Sequence, residues 1–189
     1  MIDRRQVLLN VSAAAASVAT LPAWAETATS PGDWLPPKWR EHGFPSRRWV
    51  TAVFVHTGER FKDVYMEDGK YIVPAVQKFS WVCRDFRRKE WLWLEPRLLD
   101  LLFVLHWKYN KNEIKILSGY RSPETNANIE GAALHSQHTL GKALDVHLPD
   151  IDNAAVAKDF KVFIEGGVGM YPLKHFTHLD WGPPRTWAG

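Results

Sequence analysis

The chain has 189 residues, a length that suits one domain. Its net charge of +3 is too weak a bias to support nucleic-acid binding, so no nucleic-acid partner is expected. A single cysteine, Cys83, excludes an intramolecular disulfide, so a buried core has to hold the fold.

The first 25 residues read as an export signal. Arg4-Arg5 precede an apolar run from Val7 to Leu21, and Ala23-Trp24-Ala25 supplies a small-x-small cleavage site. The run is too short for a stable membrane anchor. An uncleaved anchor is the competing reading. The paired arginines resemble a twin-arginine signal, although Asp3 and Gln6-Val7-Leu8-Leu9 fit it only in part; the general secretory route is the alternative. Cleavage after Ala25 removes two arginines and one aspartate, leaving a net charge of +2. A periplasmic, monomeric protein without a membrane anchor is expected. Roughly 160 mature residues suffice to bury one core.

Residues 26–48 are rich in Pro, Ser, Thr and Gly and read as a linker ahead of a domain over 49–189. Arg48 to His56 and Arg60 to Met66 read as two strands of a hairpin around Thr57-Gly58-Glu59. A second turn follows at 67–70. Pro74 to Arg88 reads as a helix with proline in its first turn and apolar residues at Val76, Phe79, Val82, Cys83 and Phe86. Its basic end, Arg84 to Lys89, reads as a solvated helix face, and Cys83 as a small buried residue, not a nucleophile. Glu95 to Asn110 reads as a second helix, buried through Leu98, Leu99, Leu101, Leu102 and Leu105. Glu113 to Ser118 is a short strand, and Tyr120 to Gly131 a loop with some helical turn. Residues 132–141 form another loop, and Lys142 to Leu148 a strand. Asp152 caps a helix over Asn153–Ile164, which Gly166-Gly167 ends. Val168 to Tyr171 and Phe176 to Trp181 are the last strands. The order predicts an α+β fold, a mostly antiparallel sheet with helices packed on one side. Ten tryptophans are divided between core and a carbohydrate or peptide groove in a way that sequence does not sort.

Eight histidines are present, and chemistry needs a subset that converges. Strand alternation puts Ala143, Asp145 and His147 on one face, and Leu144, Val146 and Leu148 on an apolar face. Gly141 allows the loop carrying His138 to turn back toward Asp145. The last strand puts Phe176, His178 and Asp180 on one face. If it pairs antiparallel with 142–148, His178 sits across from Asp145. Two imidazoles, one carboxylate and an open position suit a catalytic zinc. An ordinary loop and strand with a polar edge is the bland reading of the same spacing. His147 and His175 compete for a place in the cluster, His147 as a partner that orients a ligand.

Ser136-x-His138-x-x-Gly141-x-Ala143-x-Asp145 resembles the zinc signature of the D-Ala-D-Ala peptidase superfamily, which holds VanX- and VanY-type carboxypeptidases. Ser118-Gly119-Tyr120-Arg121-Ser122 and His178-Leu179-Asp180 resemble two further blocks of it. Within that group the chain is most similar to the exported murein endopeptidase K family. His56-Thr57-Gly58-Glu59, Arg84-Asp85, Ser118 through Asn126, Gly166 through Pro172, Trp181-Gly182 and Arg185-Thr186-Trp187 carry the likeness, which runs from about Trp49 to Trp187.

The resemblance implies a Hedgehog/D-Ala-D-Ala peptidase-like fold, Zn²⁺ on His138, Asp145 and His178, and peptidoglycan peptides as substrate. In the carboxypeptidase branch a Glu three residues before the last histidine ligand serves as the general base. Here that position is His175, so the pattern fails there. Asp180 is the first candidate base, with orientation of a ligand as its competing role, and His175 is the weaker one. Arg121 is expected to stabilise an oxyanion or grip a substrate carboxylate, against a purely structural ion pair. Ser136 and Gln137 are expected at the substrate, and Asn126 to fix the Arg121 loop. His56 and Glu59 have no assigned chemistry. The alternatives to an endopeptidase are a non-catalytic wall-binding protein of the same fold, a D,D- or L,D-carboxypeptidase, and a metal-dependent hydrolase of another amide.

Overall fold

The computed structural model describes residues 43–189; the signal-like segment 1–25 and most of the 26–48 lead-in lie outside them. Strand β1, Arg48–Phe54, alternates strictly, burying Arg48, Val50, Ala52 and Phe54 on one face. It pairs antiparallel with β2, Arg60–Glu67, forming the expected hairpin. Asp68 and Gly69 both take positive φ, the signature of a tight primed turn, and fold back the short β3, Lys70–Tyr71.

Helix α1, Val73–Val82, has its proline in the first turn but stops well short of Arg88. The physical reason lies downstream. The Cys83 carbonyl accepts from the Tyr120 amide, and Asp85 bridges to Glu90 in a turn, with Lys89 in the left-handed region. Residues 84–89 are therefore a bridged turn and not the solvated helix face that their charge suggests. Cys83 is fully buried, and burial pushes its thiol up, so it is inert as expected.

Helix α2, Arg97–Tyr109, buries Leu98, Leu99, Leu101, Leu102 and Leu105. Also buried on it is Asp100, whose Oδ1 accepts from Arg48 Nη1 at 3.2 Å and the Tyr65 hydroxyl at 2.8 Å. Its Oδ2 accepts from the Tyr71 hydroxyl. Strand β4, Ile114–Ser118, runs parallel to β1. A short helix α3, Pro123–Ala127, and a single 3₁₀ turn, Gln137–Leu140, lead into β5, Ala143–His147. Helix α4, Asn153–Phe163, is capped by Asp152, whose carboxylate accepts from the Ala154 amide.

Strands β6, Gly167–Tyr171, and β7, Phe176–Asp180, complete the expected set. An unexpected strand β8, Arg185–Ala188, runs parallel along β6. The sheet order is β3-β2-β1-β4-β5-β7-β6-β8, mixed because β1·β4 and β6·β8 are parallel while every other pairing is antiparallel. One core cluster joins Val50, Ile116, Leu144, Val146, Val168 and Leu179 of the sheet to the inner faces of α1, α2 and α4. The α+β architecture with one helix-covered face thus follows from strict alternation. The residues of opposite parity, Asp145, His178 and Asp180 among them, emerge on the other face. No helix among the described residues is long and apolar enough to cross a membrane.

Candidate metal centre

Strands β5 and β7 place Asp145 directly opposite His178. The third member arrives from the loop ahead of β5. Ser136 caps the 3₁₀ turn by accepting from the His138 amide, and Gly141 takes φ +68 to reverse the chain. A side chain at Gly141 would also meet the Trp93 carbonyl at 2.8 Å. His138 is thereby turned onto the strands. His138 Nε2 lies 3.2 Å from His178 Nδ1 and 3.3 Å from Asp145 Oδ1, and His178 Nδ1 lies 2.9 Å from that same oxygen. All three side chains are buried.

The hydrogen bonds behind the cluster fix its chemistry. His138 Nδ1 lies 2.7 Å from the Gly119 carbonyl, which can only accept, so this nitrogen carries the proton. His178 Nε2 lies 2.7 Å from Asp180 Oδ2 and donates to it. In their neutral forms both imidazoles then turn a lone pair toward Asp145 Oδ1. Three acceptor atoms converge, and two ring nitrogens and a carboxylate oxygen are the donor set that a divalent metal ion takes. The fit is good because the outer hydrogen bond of each imidazole sets its tautomer.

Burial by itself raises the Asp145 pKa, but when the His138 and His178 rings are protonated their charge and hydrogen bonds hold the carboxyl well below the usual range. Burial lowers His138, and its contact with Asp145 offsets this only in part. For His178 burial also lowers, yet hydrogen bonds to Asp145 and Asp180 raise it overall. Arg121 sits beside the cluster. Its Nε donates to Ser118 Oγ at 3.0 Å, Nη1 to Asn126 Oδ1 at 3.4 Å and Nη2 to Asp145 Oδ2 at 3.2 Å. Of the five N–H donors of a guanidinium, two remain for a further oxygen.

The family model described as Peptidoglycan L,D-endopeptidase MepK matches residues 44–187, a span that contains the whole cluster. The chain belongs to this family. It is 34% identical over 148 residues to the peptidoglycan L,D-endopeptidase MepK of Escherichia coli (strain K12), covering 76% of this chain and 81% of that protein. It is 30% identical over 151 residues to a probable peptidoglycan L,D-endopeptidase MepK of Haemophilus influenzae, covering 77% and 81%. No solved structure matches the chain.

Against that membership the remaining expected residues fall into two groups. Ser136 is buried, and its hydroxyl caps the 3₁₀ turn, while the Gln137 side chain packs against Gly182 beside Asp180. Asn126 holds the Arg121 loop, accepting from Arg121 and donating to the Ala133 carbonyl at 2.9 Å. Neither expected base is presented to the space between the three converging atoms. Asp180 is fully buried behind His178, on the ring edge away from the cluster. Its Oδ2 also accepts from Arg185 Nη2 at 2.7 Å, and its Oδ1 from the Gly182 and Gly167 amides at 2.6 and 3.2 Å. Burial alone would raise this carboxyl, but the His178 and Arg185 bonds bring it down to about 2. His175 is exposed, in the left-handed region at the end of a 3₁₀ turn, just ahead of β7 and outside the cluster. It neighbours His147, which lies outside the cluster as well.

Three residues without an expected role complete the site. Arg185 holds Asp180, and Asp85 accepts from the amide and hydroxyl of Ser122 at 3.0 and 2.7 Å, tying down the Arg121 loop. Trp187 packs its ring 5.1 Å from that of His178. Glycines make the room: a side chain at Gly169 would lie 2.4 Å from the Trp187 ring, and one at Gly167 2.2 Å from Asp180 Oδ2. The run Gly166-Gly167-Val168-Gly169 is the sequence trace of this crowding.

Proposed function

We propose that the chain is a zinc-dependent peptidoglycan endopeptidase, exported to the periplasm and working on the peptide cross-links of the wall. The observation that carries this reading is the convergence of three acceptor atoms, on His138, Asp145 and His178, in a chain whose relatives are named peptidoglycan L,D-endopeptidases. Those names support cleavage at L,D cross-links. Export rests on the N-terminal signal-like segment, which fits a wall substrate.

His138, Asp145 and His178 hold the ion in this reading. When bound, it polarises the scissile carbonyl and acidifies a water. The chain's own groups do the rest. Gly119 and Asp180 keep the two imidazoles in the tautomers that leave a lone pair for the ion. Asp180 is thus assigned a positioning role, not that of a base. Arg121 keeps Asp145 in place through Oδ2 and offers its two remaining donors to the carbonyl oxygen as negative charge develops there. Asp85, Ser122 and Asn126 fix the loop that aims it.

Digestion of purified sacculi by the zinc-loaded and the chelated protein, read by mass spectrometry of the released muropeptides, tests the reading. Release of cleaved cross-linked dimers with zinc alone is the expected result. Loss of only terminal residues would make it a carboxypeptidase, and binding to sacculi without any release a wall-binding protein.

A further inference from the structure

Against the loop that carries Arg121 lies a second feature with chemistry of its own. An open pocket of about 250 Å³ is lined by Arg87, Arg88, Glu124, Thr125 and Asn128. It forms where the bridged turn 84–90 meets α3. Asp85 welds these two segments together: Oδ1 accepts from the Arg87 and Arg88 amides at 3.1 and 3.4 Å, and Oδ2 holds Ser122. Ser122 follows Arg121 directly, and Asn126, next to Thr125 in the wall, accepts from Arg121. The pocket and the Arg121 loop are therefore one rigid unit.

Its charges are unequal in their commitments. Arg88 meets Glu90 at 2.8 Å and Glu124 at 2.7 Å, so the carboxylate of the lining is already taken. Arg87 is exposed and has no carboxylate partner among the described residues. Its guanidinium rests 4.3 Å over the Phe86 ring, which stacks on His56 with ring centres 4.5 Å apart. The aromatic support limits the arginine's rotamers and leaves its hydrogen-bonding edge available. A stacked guanidinium without a carboxylate partner among the described residues, in a small pocket joined to the Arg121 loop, is suited to one ligand chemistry, a carboxylate bound through paired N–H donors.

We propose that Arg87 is a specificity-determining residue that binds a free carboxylate of the cross-linked stem peptide. This assignment rests on the endopeptidase reading and adds a substrate selection that the metal cluster cannot supply. A substrate with that carboxylate amidated loses the paired acceptor and should bind less well.

The test uses two synthetic cross-linked peptides, identical except that the carboxyl groups flanking the scissile bond are free in one and amidated in the other. The zinc-loaded wild type should cleave the free acid with a KM about tenfold lower than the amide. Arg87→Gln should raise the KM for the acid to that of the amide, with the zinc content and the far-UV spectrum of the wild type. Arg87→Lys should recover part of the preference. A wild type that cleaves acid and amide with equal KM, or an Arg87→Gln protein that keeps the preference, overturns the proposal and leaves the endopeptidase reading standing. A wild type that cleaves neither peptide overturns both.

Discussion

Two buried polar clusters occupy opposite faces of the same sheet, and they are built on opposite plans. On the helix-covered face, Asp100 receives Arg48, Tyr65 and Tyr71, so that the carboxylate meets three donors and the cluster is closed. On the other face, His138, Asp145 and His178 turn three acceptors toward one another. The first arrangement holds α2 to the hairpin and needs nothing further. The second, with both rings neutral, has no donor of its own for the shared space and suits a cation. Burial and charge are common to both, so neither property alone marks a functional site. What separates them is the balance of donors and acceptors.

That contrast can be broken from either side. Asp145→Asn removes an acceptor from the open cluster, and sacculus digestion should fall by at least about 10⁴-fold while the fold survives. Near-normal turnover would break the contrast at once. Asp100→Ala in the closed cluster leaves Arg48 buried without its partner; denaturant titration should show a loss of about 3–5 kcal/mol, with zinc still bound by the folded fraction.

The closed cluster also has a pH signature. Burial pushes the Asp100 carboxyl up to about 6, against hydrogen bonds from Tyr71, Arg48 and Tyr65 that lower it. The folded chain therefore holds this proton where the unfolded chain, with a carboxyl near 3.9, has released it. The stabilisation is present below about pH 4 and lost as pH rises through about 6, up to about 3 kcal/mol. Melts of Asp100→Asn against wild type across this window should show this fall as a difference between the two proteins, the wild type losing stability more steeply.

Asp180→Asn probes the support of the open cluster without touching its interior. Zinc affinity measured by competition should drop by about 10–100-fold, and turnover should recover at saturating zinc, which a catalytic base would not allow. The smallest effect belongs to Trp187→Phe, which keeps the wall against His178 but loses the 2.8 Å bond to the Tyr171 hydroxyl. Stability should change by about 1 kcal/mol, and zinc stoichiometry should not change.

Much of this was legible in sequence because strands have a period of two. Alternation alone put Asp145 and His178 on addressable faces, and the pairing Asp145↔His178 is the one that an antiparallel neighbour implies. What stayed hidden was set by distant contacts. The early end of α1 depends on Asp85 reaching Ser122, 37 residues away, and helical periodicity contains no sign of that. Strand β8 forms because Gly167 and Gly169 leave room for Arg185 and Trp187, a condition visible only once β6 and β8 are side by side. Asp180 shows a finer limit. Alternation placed it on the face of His178, but a face does not say which edge of an imidazole a carboxylate meets, and here it is the Nε2 edge.

The central claim, that the open cluster is a metal centre, is tested most directly by counting metal. Native mass spectrometry of the wild type and of Asp145→Asn, each refolded with excess zinc and desalted, gives the stoichiometry. One ion per wild-type chain and none in the variant is the predicted result. Equal zinc in both, or none in either, would contradict it.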